Sequence, residues 1–144
     1  MITSKYVFII LIFASFSFIG KSSTTKSILN FGEEILSNQG IVLKSNNGLY
    51  ELKFDNNHLY ITKGALEIWS INCKNAYKIY LNENGVIIIE DIHKKSLWTS
   101  KNISNGSKYS FLSLQDDGNL VLFSGSWIPF SDGLAIWSSG TSGL

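Results

Sequence analysis

Beyond residue 20 the chain alternates short runs of Ile, Val, Leu, Phe and Tyr with clusters of Asn, Gly, Asp and Ser. None of these runs holds an apolar period of 3.6 residues long enough for a helix, so the pattern predicts strands. Turn signals stand at Ser37-Asn38-Gln39-Gly40, Ser45-Asn46-Asn47-Gly48, Asp55-Asn56-Asn57, Asn82-Glu83-Asn84-Gly85, Asn105-Gly106-Ser107, Asp116-Asp117-Gly118 and Asp132-Gly133. Their recurrence at roughly 8–12 residues is the spacing of sandwiches, barrels and prisms.

Three segments end alike, with an aliphatic residue, a tryptophan and a small hydroxyl: Ile68-Trp69-Ser70, Leu97-Trp98-Thr99 and Ile136-Trp137-Ser138. Each follows a strand pair, residues 49–55 turning into 59–62, 77–81 into 86–89, and 109–115 into 120–123. The interval before Trp137 is longer than that before Trp98, which places an insertion at residues 124–133, containing Trp127, Pro129 and Phe130. Three units of one pattern predict a repeat architecture, with the tryptophans sharing a core about an approximate threefold axis.

The first twenty residues differ in kind. Lys5 precedes an apolar block over residues 6–13 that runs on to Ile19, with Gly20, Ser22 and Ser23 behind it. This reads as a secretory signal peptide over 1–20 ahead of one domain over 21–144, with an uncleaved anchor as the alternative. The block falls short of the ~20 apolar residues of a spanning helix and no second one follows, so a secreted protein without stable membrane insertion is expected.

Composition narrows the function. Lysine supplies all 12 basic residues against 11 acidic ones, and Lys5 leaves with the signal segment. A near-neutral domain without arginine lacks the side chain best suited to phosphate, so nucleic acid is not expected as a partner. The single cysteine, Cys73, excludes an intrachain disulfide and reads as a buried small hydrophobe or an intermolecular partner. No clustered His, Cys or carboxylate spacing points to a metal, and no cofactor is expected.

The third unit carries the candidate chemistry. In Leu114-Gln115-Asp116-Asp117-Gly118-Asn119-Leu120-Val121-Leu122-Phe123 an extended chain puts Gln115, Asp117, Asn119, Val121 and Phe123 on one face. Leu114, Leu120 and Leu122 then face a core. Two amides and a carboxylate beside an apolar floor suit a ligand with several hydroxyls and an apolar patch, such as a sugar ring. A plain Asp-Gly hairpin turn explains the same residues equally well. Asp116 and Asp117 are adjacent and point to opposite sides of a strand, a poor basis for paired-carboxylate hydrolysis, so no enzyme is expected.

This stretch resembles the signature of the bulb-type mannose-binding lectins, glutamine-x-aspartate-x-asparagine-x-valine-x-tyrosine. Gln115, Asp117, Asn119 and Val121 match it, and Phe123 replaces the tyrosine. The resemblance runs from Ser27 to Thr141 and includes Gly32, a strand pair over residues 36–43, Ser45-Asn46-Asn47-Gly48 and the three tryptophans. It implies an all-β fold, a β-prism II of three four-stranded antiparallel sheets with pseudo-threefold symmetry. A β-trefoil, also threefold, is the rival, but its repeat ends in glutamine-x-tryptophan, where this chain has Glu67, Ser96 and Ala135.

The resemblance further implies that Asp117 and Asn119 contact the axial sugar hydroxyl at position 2, Gln115 a neighbouring one, and that Val121 packs on ring carbons. Phe123 keeps the apolar surface without the phenol hydroxyl, a loss of about 0.5–1.5 kcal/mol. Aligned on the residue after the turn, the first unit offers Phe54, Asn56, His58, Tyr60 and Thr62, and the second Leu81, Glu83, Gly85, Ile87 and Ile89. On that alignment neither retains a sugar site, and the second forms an apolar face suited to protein.

A secreted, non-enzymatic binder of mannose-type glycans or glycoproteins is therefore expected, with one retained site. The alternative is an interaction protein that has lost sugar binding. Family members commonly exchange a strand, here near residues 135–141, so a homodimer or higher oligomer is implied. Asn102-Ile103-Ser104 and Asn105-Gly106-Ser107 are glycosylation sequons suited to a secreted surface loop. The Trp127 loop offers either a sugar-stacking face or a cover for the core.

Overall fold

The computed structural model describes residues 26–101, 105–125 and 133–144. The expected signal peptide, the Asn102 sequon and the loop with Trp127, Pro129 and Phe130 lie outside the described residues. The strands are β1 (Ile28–Asn30), β2 (Glu34–Leu36), β3 (Gly40–Lys44), β4 (Tyr50–Phe54), β5 (His58–Lys63), β6 (Leu66–Asn72), β7 (Lys78–Leu81), β8 (Ile87–Glu90), β9 (Ser96–Thr99), β10 (Phe111–Leu114), β11 (Leu120–Phe123) and β12 (Ala135–Ser138). They form three four-stranded sheets, ordered β3-β4-β5-β6, β2-β7-β8-β9 and β1-β10-β11-β12, and the pairings are antiparallel.

Each repeat thus supplies a hairpin and a tryptophan strand, and the first three strands of the chain are dealt out in reverse, one to the edge of each sheet. This is the expected three-sheet β-prism, with no helix among the described residues. Residues 36–43 do not form the expected strand pair. β2 pairs with β7, β3 pairs with β4, and the turn between them carries the chain from one sheet to the next. Each of these short strands buries its own aliphatic residues, Ile35 on β2 and Val42 with Leu43 on β3. β12 pairs with β11 and closes the third sheet.

The hairpins are in register at their core positions. Leu52 faces Ile61 and Phe54 faces Leu59; Ile79 faces Ile89 and Leu81 faces Ile87; Leu112 faces Leu122 and Leu114 faces Leu120. All are essentially inaccessible, each contributing about 1.5–3 kcal/mol by leaving water. Trp137 stands between Trp69 and Trp98, with ring centroids 6.1 and 5.9 Å away and steep interplanar angles of 67° and 71°. Such edge-to-face contacts are favoured by the aromatic quadrupole, and they tie the three sheets together on the expected shared axis. Cys73 is buried in the same core, where loss of water pushes its thiol up to about 11, so it behaves as a small hydrophobe.

Candidate functional site

Gln115, Asp117 and Asn119 lie in the β10–β11 turn, not on an extended strand. The Gln115 N–H donates to the Asn119 carbonyl at 2.9 Å and the Gly118 N–H to the Gln115 carbonyl at 3.0 Å. Gly118 takes a φ of 86°, and a Cβ there would meet the Tyr50 ring at 2.5 Å. Only glycine allows the turn to close against β4 of the neighbouring sheet. Asp116 accepts the Asn47 N–H at 2.8 Å and so fastens this turn to the β3–β4 turn. The two readings of the segment therefore combine, the polar residues in a turn and the apolar ones on the strand behind it.

Asp117 lies at the surface with its Oδ1 accepting the Asn119 N–H at 2.9 Å and its Oδ2 accepting the Ser142 hydroxyl at 2.6 Å. The Ser142 bond foremost, then the Asn119 N–H, holds its carboxyl below the ordinary range. Asn119 Oδ1 accepts from the Ser139 hydroxyl at 3.2 Å and the Thr141 N–H at 3.3 Å. The Thr141 N–H, which can only donate, fixes the amide orientation and leaves Nδ2 as the free donor. Among the described residues, neither that NH2 group nor the Gln115 side chain has a hydrogen-bond partner.

On the strands, Phe111 and Phe123 stack across the hairpin at 5.2 Å and 22°, half-buried on the face away from the core. Val121 shares that face but is only 3% exposed. The apolar surface exposed on that face is therefore that of Phe123 and Phe111.

The hairpin geometry corrects the sequence alignment of the other two units. In the second, the Asn82 N–H donates to the Val86 carbonyl and the Gly85 N–H to the Asn82 carbonyl, reproducing the bonds of the third-unit turn. Asn82, Asn84, Val86, Ile88 and Glu90 thus stand where Gln115, Asp117, Asn119, Val121 and Phe123 stand. Leu81, Ile87 and Ile89, expected as an apolar protein-binding face, are core residues with at most 1% exposure. The observed outer face is charged: Lys78 reaches Glu34 at 2.6 Å and Glu90 at 3.3 Å, and the Tyr80 hydroxyl donates to Glu90 at 3.1 Å.

In the first unit the turn is one residue shorter, closed by the Asp55 N–H to the His58 carbonyl. Asp55, not Phe54, therefore takes the place of Gln115, and Phe54 is core. Asp55 Oδ1 is occupied by His58 Nδ1 at 3.1 Å and by two backbone N–H groups. His58 stacks on Tyr60 at 4.1 Å. Matching Gly85 with Gly118, instead of the aliphatic residues after the turn, gives the correct register from sequence for the second unit.

Sequence reasoning did not find the cavity of about 480 Å³ between the β1–β2 loop and the β7–β8 turn, where Phe31, Glu33, Glu34, Tyr80 and Asn82 contribute walls. It lies beside the second-unit turn, on another sheet from Asp117. Among the described residues no group of His, Cys, Asp and Glu is arranged to hold a metal ion.

No family model matches the chain, and no curated protein does. Solved structures do, and these neighbours are lectins, several of them mannose-binding or mannose-specific. A lectin from Marasmius oreades is 22% identical with a TM-score of 0.68, covering 83% of this chain and 95% of its own. A monomeric mannose-binding lectin from Gastrodia elata is 23% identical with a TM-score of 0.65, covering 81% and 99%. The mannose-specific agglutinin of snowdrop, Galanthus nivalis, solved with methyl-α-D-mannoside, is 19% identical with a TM-score of 0.60, covering 76% and 100%. At these identities the likeness establishes the fold, the three-sheet β-prism II.

Proposed function

We propose that the protein is a secreted, non-enzymatic lectin that binds mannose-type glycans at the β10–β11 turn. One observation carries the reading: the turn holds an ionised acceptor, Asp117, an amide donor fixed by its own bonds, Asn119, and an uncommitted amide, Gln115, next to the Phe111–Phe123 stack. Adjacent hydroxyls of a sugar need an acceptor and a donor side by side, and the hydrogens of a ring face need an apolar wall. The other two turns lack this set: Asn84 stands in place of the carboxylate in one, and in the other the carboxylate is Asp55, at the position of Gln115 and already engaged by His58. The fold shared with mannose-binding lectins supports the same assignment.

Recognition proceeds through hydrogen bonds with no covalent step. A single site binds weakly, and a homodimer or higher oligomer supplies avidity toward glycoproteins. Asn105, exposed in a turn with a φ of 76°, or Asn102 is the glycosylation acceptor of the secreted form, their spacing disfavouring both at once. The test is binding of the purified protein to a glycan panel beside Asp117→Ala. Mannose-type binding abolished by the substitution is the expected result, and silence toward every glycan from a folded protein contradicts it.

A further inference from the structure

The carboxylate that the proposed function assigns to a sugar hydroxyl already holds a hydroxyl of the chain itself. The turn occupies Asp117 Oδ1 with the Asn119 N–H, and the Ser142 hydroxyl takes Oδ2 at 2.6 Å. Ser142 is exposed, yet its position is set by buried neighbours. Thr141 is 2% exposed and donates through Oγ1 to the Gly118 carbonyl at 2.7 Å. The Gly143 N–H donates to the Asp117 carbonyl at 2.9 Å. Beyond it, the Leu144 carbonyl accepts the Tyr50 hydroxyl at 3.2 Å and Lys63 Nζ at 3.0 Å. Ser142 is thus pinned on both sides while its own hydroxyl turns on a single side-chain bond.

We propose that Ser142 is a built-in competitor at the sugar site, a hydroxyl that holds one lone pair of Asp117 Oδ2 and that a ligand approaching along that direction must displace, so that it tunes affinity and specificity. The inference rests on the carbohydrate reading of the turn. A ligand that takes that same lone pair with one hydroxyl exchanges like for like and gains nothing there. A ligand whose second hydroxyl also meets Asn119 Nδ2 or the Gln115 amide gains a bond that Ser142 does not make, and it wins the exchange. The competitor therefore filters for adjacent hydroxyls in fixed relative geometry, the property that separates one hexose from another.

The direct test titrates methyl α-mannoside into the purified protein, Ser142→Ala and Asp117→Ala, while the Asp117 carboxyl of the first two is followed by NMR across acid pH. Removing one hydroxyl bond to a carboxylate is expected to tighten binding about three- to tenfold. In Ser142→Ala the Asp117 pKa is expected to rise toward its ordinary value, because the bond that lowers it most is gone. Affinity of Ser142→Ala equal to or below that of the unaltered protein, with Asp117→Ala silent, overturns the competitor and leaves the sugar site standing. An unmoved Asp117 pKa overturns it as well. Failure of both the unaltered protein and Ser142→Ala, each folded, to bind methyl α-mannoside removes the carbohydrate reading and the competitor with it.

Discussion

Asp117 and Asn119 each do two jobs, and the division is visible atom by atom. Asp117 Oδ1 and Asn119 Oδ1 accept bonds that build the turn and anchor residues 139–141, while Asp117 Oδ2 carries the Ser142 hydroxyl and Asn119 Nδ2 has no hydrogen-bond partner among the described residues. Phe123 has only the apolar half of the role its aromatic neighbours allow. Phe123→Tyr adds a phenol hydroxyl to the existing stack on Phe111, and it is expected to improve sugar affinity by about 0.5–1.5 kcal/mol, read by calorimetry. Sequence made these side chains legible as one set because their types and spacing state the chemistry. It did not show that Val121 is covered, nor that Ser142 reaches Asp117, since nothing about a serine 25 residues away announces the bond.

At the scale of the element, the hairpins share one plan and differ in what their outer faces carry. The position that is Phe123 opposite Phe111 in one sheet is Glu90 opposite Lys78 in another. Glu90 is 6% exposed and answered by Lys78 and the Tyr80 hydroxyl. Lys78→Ala leaves that carboxylate without its cation and is expected to cost roughly 1–3 kcal/mol, read by urea denaturation, with little change in sugar binding on the other sheet. The strands themselves were legible from alternation. The register was not, because an aliphatic run such as Val86-Ile87-Ile88-Ile89 reads alike on both faces, and a slip of one residue exchanges core for surface. The turn glycines Gly85 and Gly118, fixed by positive φ, resolve that ambiguity.

For the whole molecule, the three sheets lock in a cycle. The third-unit turn packs through Gly118 on Tyr50 at the start of β4, and the second-unit turn packs through Gly85 on Ser110 ahead of β10. The first-unit turn is bonded to residues ahead of β7, through the Cys73 N–H to Asn57 and the Ala76 N–H to Asn56. With the tryptophans meeting on the axis, this cycle explains how the repeat legible in the sequence becomes a closed prism without a disulfide. The central claim is that a single turn of the three binds the sugar. Amide chemical shifts mapped during titration with methyl α-mannoside test it most directly. The account predicts movement at residues 111–123 and 139–144 alone; movement centred on residues 82–90 or 55–62, or on the cavity beside Tyr80, would contradict it.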